Sequence, residues 1–236
     1  MDFNATKCKI MHIGSTNPGF CYTMGGFAPA GTILSEATEE KDIGVIVHNS
    51  LKPSVQCAKA AKKANQVLGQ MARSFHYRDK LTWIHLYKLY VRPHLEISGQ
   101  AWCPWKKTDI EILERVQERA VNMVVGLRSR TYTDRLAEVN LLSLEDRRKR
   151  GDAIQVWKYL HGINPGSMLK LASNQHNRLT RHTAKPMNIA TTKGRLGVRR
   201  NYFTCRCAGP WNLLPSDVQC AKDLDMFKKG YDRFIQ

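Results

Sequence analysis

The chain has 236 residues, 42% of them hydrophobic, with 37 Lys and Arg against 20 Asp and Glu and a net charge of +17. That length suits one large domain or two small ones, and the basic excess points to a polyanionic partner, nucleic acid ahead of an anionic membrane surface. No apolar run approaches the roughly 18 residues of a spanning helix, "MDFNATKCKI" has no signal-peptide core, and seven scattered cysteines read as free thiols of a reducing compartment, nuclear or cytoplasmic.

Residues 1–48 read as β-rich. "KCKIMHIG", "FCYTM" and "DIGVIV" are apolar runs of strand length, and Gly25-Gly26 suits a tight hairpin between them. A first strand beginning almost at Met1 suggests the tail of something longer.

From Asn49 the period changes. Asn49 or Ser50 is placed to cap a helix with Pro53 in its first turn. Cys57, Ala61, Ala64, Leu68, Met71 and Phe75 then alternate spacings of four and three, which is one helix face. Lys59, Lys62, Lys63 and Arg73 fall off that face. Asp79 can cap a second helix through Ile84, Tyr87, Val91 and Leu95. Pro93 interrupts it, removing a backbone donor and pressing on the Leu89 carbonyl, so a kink is expected there.

Thr108 and Glu111 have the spacing of a capping box. The helix behind them aligns Ile110, Leu113, Gln117, Val121 and Val124, with Gly126 at its end. A short helix over 135–139 follows, and Ser143 opens a longer one ending near Gly162. That last helix contains Arg147-Arg148-Lys149-Arg150. At about 100° per residue, four successive positions cover nearly the whole circumference. At least one base must therefore face the packing side, where it needs an acid or a phosphate. Glu145, Asp146 and Asp152 are the nearby acids; a nuclear import signal is a further reading of the run.

Residues 163–200 lose periodicity. From Ala153 to Ser216 there is no Asp or Glu, while Lys158, Lys170, Arg178, Arg181, Lys185, Lys193, Arg195, Arg199, Arg200 and Arg206 lie in the window. "DLDMFKKGYDRF" closes the chain as an amphipathic helix.

Few motifs support chemistry. Cys205 and Cys207 are too close together for zinc-finger spacing, and no His pair follows. Eight histidines and seven cysteines make accidental Cys–His pairs inevitable. There is no phosphate-cradling Gly loop. The acids sit beside bases on helices, as in "EILERVQER", rather than clustered to hold two metal ions.

Four stretches in order carry a resemblance: "FNATKCKIMHIG", "LKPSVQCAKAAKKANQVLGQMARSF", "LYKLYVRPHLEISGQAWCPWKKTDIEILERVQERAVNMVVGL" and "LLSLEDRRKRGDAIQVWKYLHG". Together they resemble the C-terminal part of a non-LTR retrotransposon reverse transcriptase of the jockey or LINE type. "YFTCRCAGPWNLLPSDV" resembles the tail of the same polyproteins. The resemblance implies an α+β chain, predominantly α. Residues 1–48 are then the end of the palm with a connecting β segment. Residues 49–162 are the helical thumb, which grips the template–primer duplex. Residues 163–236 form a basic, loop-rich C-terminal region ending in a helix.

The same resemblance makes Arg92-Pro93-His94 a thumb feature, with Arg92 or His94 turned toward phosphates; pairing of Arg92 with Glu96 one turn on is the alternative. It places Lys7 at the position of a lysine proposed to protonate the leaving pyrophosphate. The family's metal-binding palm carboxylates, fingers and endonuclease find no match. The expectation is thus a fragment, a degenerate copy or an incomplete gene model, catalytically incomplete alone. Mg²⁺ is expected only in the complete polymerase, and no metal site in this chain. The expected partners are RNA–DNA hybrid or duplex template–primer and the missing palm and fingers, with no membrane. The expected contacts are Lys59, Lys62, Lys63, Arg73, Arg92, His94, Arg147, Arg148, Lys149, Arg150, Arg199 and Arg200. The alternative is a free-standing nucleic-acid-binding module derived from such a thumb.

Overall fold

The computed structural model describes residues 4, 7–14, 16–25, 31–166, 169–172, 187–192 and 194–235. The class is α+β and dominated by helix, with short strands preceding the helices. Of the expected features, Gly26 and the bases Arg178, Arg181, Lys185 and Lys193 lie outside the described residues.

The strands form three small pairs. β1 (Lys9–Ile10) runs parallel to β4 (Ser35–Glu36), and β2 (Thr23–Met24) antiparallel to β3 (Thr32–Ile33). β5 (Glu39–Asp42) and β6 (Val45–His48) make a hairpin in which Asp42 faces Val45. "DIGVIV" is therefore a strand end, a turn and a new strand rather than one strand. The two turn residues, Ile43 and Gly44, have φ of 41° and 88°. Positive φ at both positions is what a tight hairpin of matching twist requires. For Ile43 it is a strained choice, and its side chain is left in solvent.

β6 docks on α1 (Ser54–Ser74), where Ile46 N–H donates to Gln56 Oε1 at 2.9 Å. The α1 stripe is buried as its spacing predicts at Cys57, Ala61, Ala64, Leu68 and Met71, while Phe75 lies beyond the helix and is exposed. Neither Asn49 nor Ser50 caps α1. Pro53 occupies the cap position, and the Ser50 hydroxyl bonds the His48 ring instead. α1 packs on α5 (Lys107–Asn122), which buries Leu113, Val116, Gln117, Ala120 and Val121. The expected capping box fails, because the helix begins before Thr108 and so places that residue inside the first turn. Ser54 Oγ instead donates to the buried Asp109 carboxylate at 2.7 Å, tying the starts of α1 and α5 together.

Asp79 caps α2 (Lys80–Leu86) by accepting from Thr82 N–H. The chain then widens into a π-helical turn over Tyr87–Val91 before α3 (Arg92–Glu96). This turn is how Pro93 is accommodated. Arg92 N–H reaches back five residues to Tyr87 O, so the path swings wide where an α-turn would drive the proline ring against the Leu89 carbonyl. Tyr87, Val91 and Leu95 stay fully buried on one side, and Pro93 faces solvent.

Gln117 organises the polar centre of this bundle. It accepts from Tyr87 Oη at 2.8 Å and donates to Leu142 O at 3.0 Å and to Tyr132 Oη at 3.1 Å. Tyr132 opens α6 (Tyr132–Glu138), which begins earlier than the spacing predicts, and donates to Glu114. Glu114 also accepts Leu144 N–H at the start of α7 (Leu144–Leu160), whose cap is Ser143 as expected.

α7 joins two cores. Leu144 belongs to the first, built from α1 to α6 and the short α4 (Gly99–Trp102); Val156 and Trp157 belong to the second. The second core is formed by α9 (Phe203–Leu213), α10 (Ser216–Gln219) and α11 (Leu224–Phe234), with α8 (Gly197–Arg200) leading in. The expected loop-rich C-terminal region is thus largely helical from residue 197 onward.

Candidate nucleic-acid interface

The run 147–150 does surround its helix, but its partners are not the nearby acids alone. Arg147 forms a bidentate pair with Glu96 of α3, its Nη2 bond measuring 3.0 Å. Arg150 forms a bidentate pair with Asp232 of α11 at 2.6 and 2.8 Å. Lys149 takes Glu145 at 2.9 Å and Asp146 at 3.6 Å, and the Glu145 hydrogen bond raises its pKa. Asp152 pairs with none of the four and is held by Arg206 at 2.8 Å. Arg148 is the base that turns inward, to 8% exposure.

Arg92 reaches the same Glu96 carboxylate as Arg147, its Nε lying 3.6 Å away. One acid therefore serves two arginines. Burial pushes the Arg92 pKa down, and the Arg147 charge pushes the same way. Lys88, on the π-turn, has no acidic partner among the described residues.

These bases meet in one groove of about 680 Å³. Lys88, Arg92, Arg147, Lys149 and Arg150 line it against only Asp146 and Asp232. Even with Glu96 and Glu145 counted, base outnumbers acid. A groove with unspent guanidinium donors suits phosphate oxygens, which bind arginine in the same forked geometry as carboxylates.

The other expected contacts are dispersed. Lys62, Lys63 and Arg73 are exposed on α1 without acidic partners among the described residues, whereas Lys59 is engaged by Glu39 at 2.6 Å. His94 is half-buried on α3 and does not line the groove. Arg199 and Arg200 are exposed on α8, Arg199 lying 5.4 Å over the Tyr202 ring. Lys7 is exposed near the β1 strand. Arg148 is buried to 8% exposure and does not line the groove with its neighbours.

Spacing overlooked Lys88, although it stands one helical turn before Arg92. It also overlooked a second hollow of about 490 Å³ lined by Arg78, Arg119 and Arg128 with no acid. Two of these arginines have local duties: Arg78 donates to Ala72 O and Phe75 O at the end of α1, and Arg119 reaches Asn65 at 3.4 Å. Most of its wall is the stretch 119–128, and only the fold brings Arg78 to it.

Cys205 and Cys207 both lie on α9, where a separation of two turns their side chains about 200° apart. All seven cysteines are free thiols. Among the described residues no group of three or more His, Cys, Asp or Glu side chains is arranged to hold a metal ion, and no helix is long and apolar enough to cross a membrane.

No family model matches the chain, and no curated protein or solved structure matches it either.

Proposed function

We propose that this chain is the thumb and tail segment of a retrotransposon-type reverse transcriptase and holds template–primer duplex by its phosphates. The observation that supports the reading best is the groove between the π-turn and α7. There Arg92 and Arg147 share one carboxylate and Lys88 has none among the described residues. The exposed, acid-free Lys62 and Lys63 on α1 supply further positive charge. Neither arrangement resembles base-edge readout, which needs a few firmly held side chains against specific groove atoms.

The test is a titration of RNA–DNA hybrid and of duplex DNA by fluorescence anisotropy across a salt series. Submicromolar binding at low salt is expected, with little sequence preference. On duplex DNA the log–log salt slope should be about −0.9 for each phosphate neutralised. Lys62→Glu with Lys63→Glu, and separately Lys88→Ala with Arg92→Gln, should weaken binding of unrelated sequences equally and flatten that slope. Binding that ignores salt, or a defect confined to one sequence, overturns the proposal in favour of a sequence-specific binding module.

A further inference from the structure

A second cavity lies where the two cores meet. Its volume is about 380 Å³, between the start of α5, the middle of α7 and helices α9 and α11. Its wall is mostly apolar, including Ile110, Pro210, Trp211, Leu214 and Phe234. That size falls within the usual range for a small-molecule pocket, where a few polar groups converge on an apolar chamber.

Three bases line it, and two are already matched. Arg206 grips Asp152 through both nitrogens of its fork, at 2.8 and 3.0 Å. Lys149 holds Glu145. The third is Arg148, which lines this cavity and a smaller one beside it. Both of its terminal nitrogens, Nη1 and Nη2, are buried without a hydrogen-bond partner among the described residues. A guanidinium carries its charge at any physiological pH, and burying one unpaired is among the costlier arrangements a fold can hold. The two thiols in the wall, Cys103 and Cys207, have their pKa values raised chiefly by burial, so they stay neutral and offer no counter-charge.

We infer that this cavity is a binding site for a small apolar monocarboxylate, with Arg148 as its counter-ion. One unmatched positive charge calls for a monoanion. A forked donor favours a carboxylate, which it can meet with two parallel hydrogen bonds. The apolar wall favours a hydrocarbon or aryl body and disfavours a nucleic-acid phosphate, which stays tied to its hydrated backbone. Arg148 reaches the ligand by turning its head on a flexible stem, from a position that already lines the chamber. This cavity shares Lys149, Tyr231 and Ile235 with the groove proposed for the duplex, but Arg148 does not line that groove and the assignment does not depend on it.

Calorimetry of the full chain with decanoate, decanol and inorganic phosphate tests this. Decanoate should bind one to one, and decanol about tenfold or more weaker, the usual share of a charged hydrogen bond. Phosphate alone should not register. Arg148→Met keeps the volume while removing the charge, a change that buried charges commonly tolerate; it should cost decanoate about tenfold and leave decanol unchanged. The wild-type comparison of decanoate with decanol stands whether or not that variant folds. Equal affinity for the two, an Arg148→Met chain that holds decanoate as tightly, no decanoate binding at all, or displacement of decanoate by duplex DNA would each overturn the assignment.

Discussion

The α1–α5 seam of the first core and the centre of the second are built by different means, although the first core also buries Trp83, Tyr87 and Trp102. In the first, α1 and α5 meet along stripes of aliphatic and small residues at regular helical spacing, with Ala60, Ala61, Ala64 and Ala120 letting the helices approach. In the second, large aromatic rings fill the space between short helices: Trp157 and Trp211 flank Phe227 with ring centroids 5.9 and 5.8 Å away. Polar side chains then stitch the pieces. Trp211 Nε1 donates to Met187 O, Asn212 pairs with both backbone groups of Ile189, and Gln219 donates to Trp211 O. A seam of small and aliphatic side chains spreads its buried area over many residues. A stitched aromatic core concentrates its stability in fewer residues, because each ring replaces several aliphatic side chains.

The sharpest test of that contrast is a pair of truncations. Trp211→Ala should cost about 3–5 kcal/mol and Leu113→Ala about 2–5 kcal/mol, with the tryptophan at or above the leucine because it also orphans Met187 O. Urea midpoints followed by far-UV circular dichroism decide it. One shared transition is expected, since α7 is rooted in both cores; two separate steps would show that α7 fails to couple them.

The next test compares ion pairs. Arg206 and Asp152 are 15% and 14% exposed, whereas Asp232, the partner of Arg150, is 42% exposed. Asp152→Asn leaves a buried arginine uncompensated and should cost about 3–5 kcal/mol. Asp232→Asn should cost about 0–1 kcal/mol, because water screens that pair. Comparable midpoints for the two variants would mean that the second core does not depend on its internal stitching.

Alkali should act on the first core through Cys57. Burial raises this thiol from 9.0 to about 12, with the nearby Asp109 charge adding to the effect. A folded-state pKa above the unfolded value gives stability that is complete below about pH 8.5 and fades as pH climbs toward 12. By pH 10 the loss should be about 1–2 kcal/mol. Cys57→Ala should lose about that much less than the parent chain in midpoint stability between pH 8 and pH 10, the remaining loss coming from the similarly buried Cys103 and Cys207. Equal alkaline losses in both chains would place the titrating group elsewhere.

The smallest effect should be at Pro93. The π-turn already accommodates the ring, and Pro93 is exposed. Pro93→Ala should therefore shift the midpoint by less than about 1 kcal/mol, well below Leu113→Ala. A larger loss would show that the proline itself holds the widened turn open and so positions Arg92.

Some of this molecule was legible without coordinates. The stripes of α1 and α5, the Asp79 and Ser143 caps and the terminal helix all follow from interactions within three or four residues, which spacing records directly. The same local logic required one base of the 147–150 run to face inward. It did not say which, nor that Glu96 and Asp232, 51 and 82 residues away, would take Arg147 and Arg150. Tertiary contact alone decided that, as it decided the π-turn around Pro93 and the gathering of Lys88, Arg92 and Arg147 in one groove. The second core was hidden for a related reason. Its helices are short, one contains Pro210, and their burial is set by aromatic packing between segments rather than by a repeating stripe within any of them. Periodicity reports what a helix does to its own faces; the choice of partner for a buried charge or ring belongs to the folded chain.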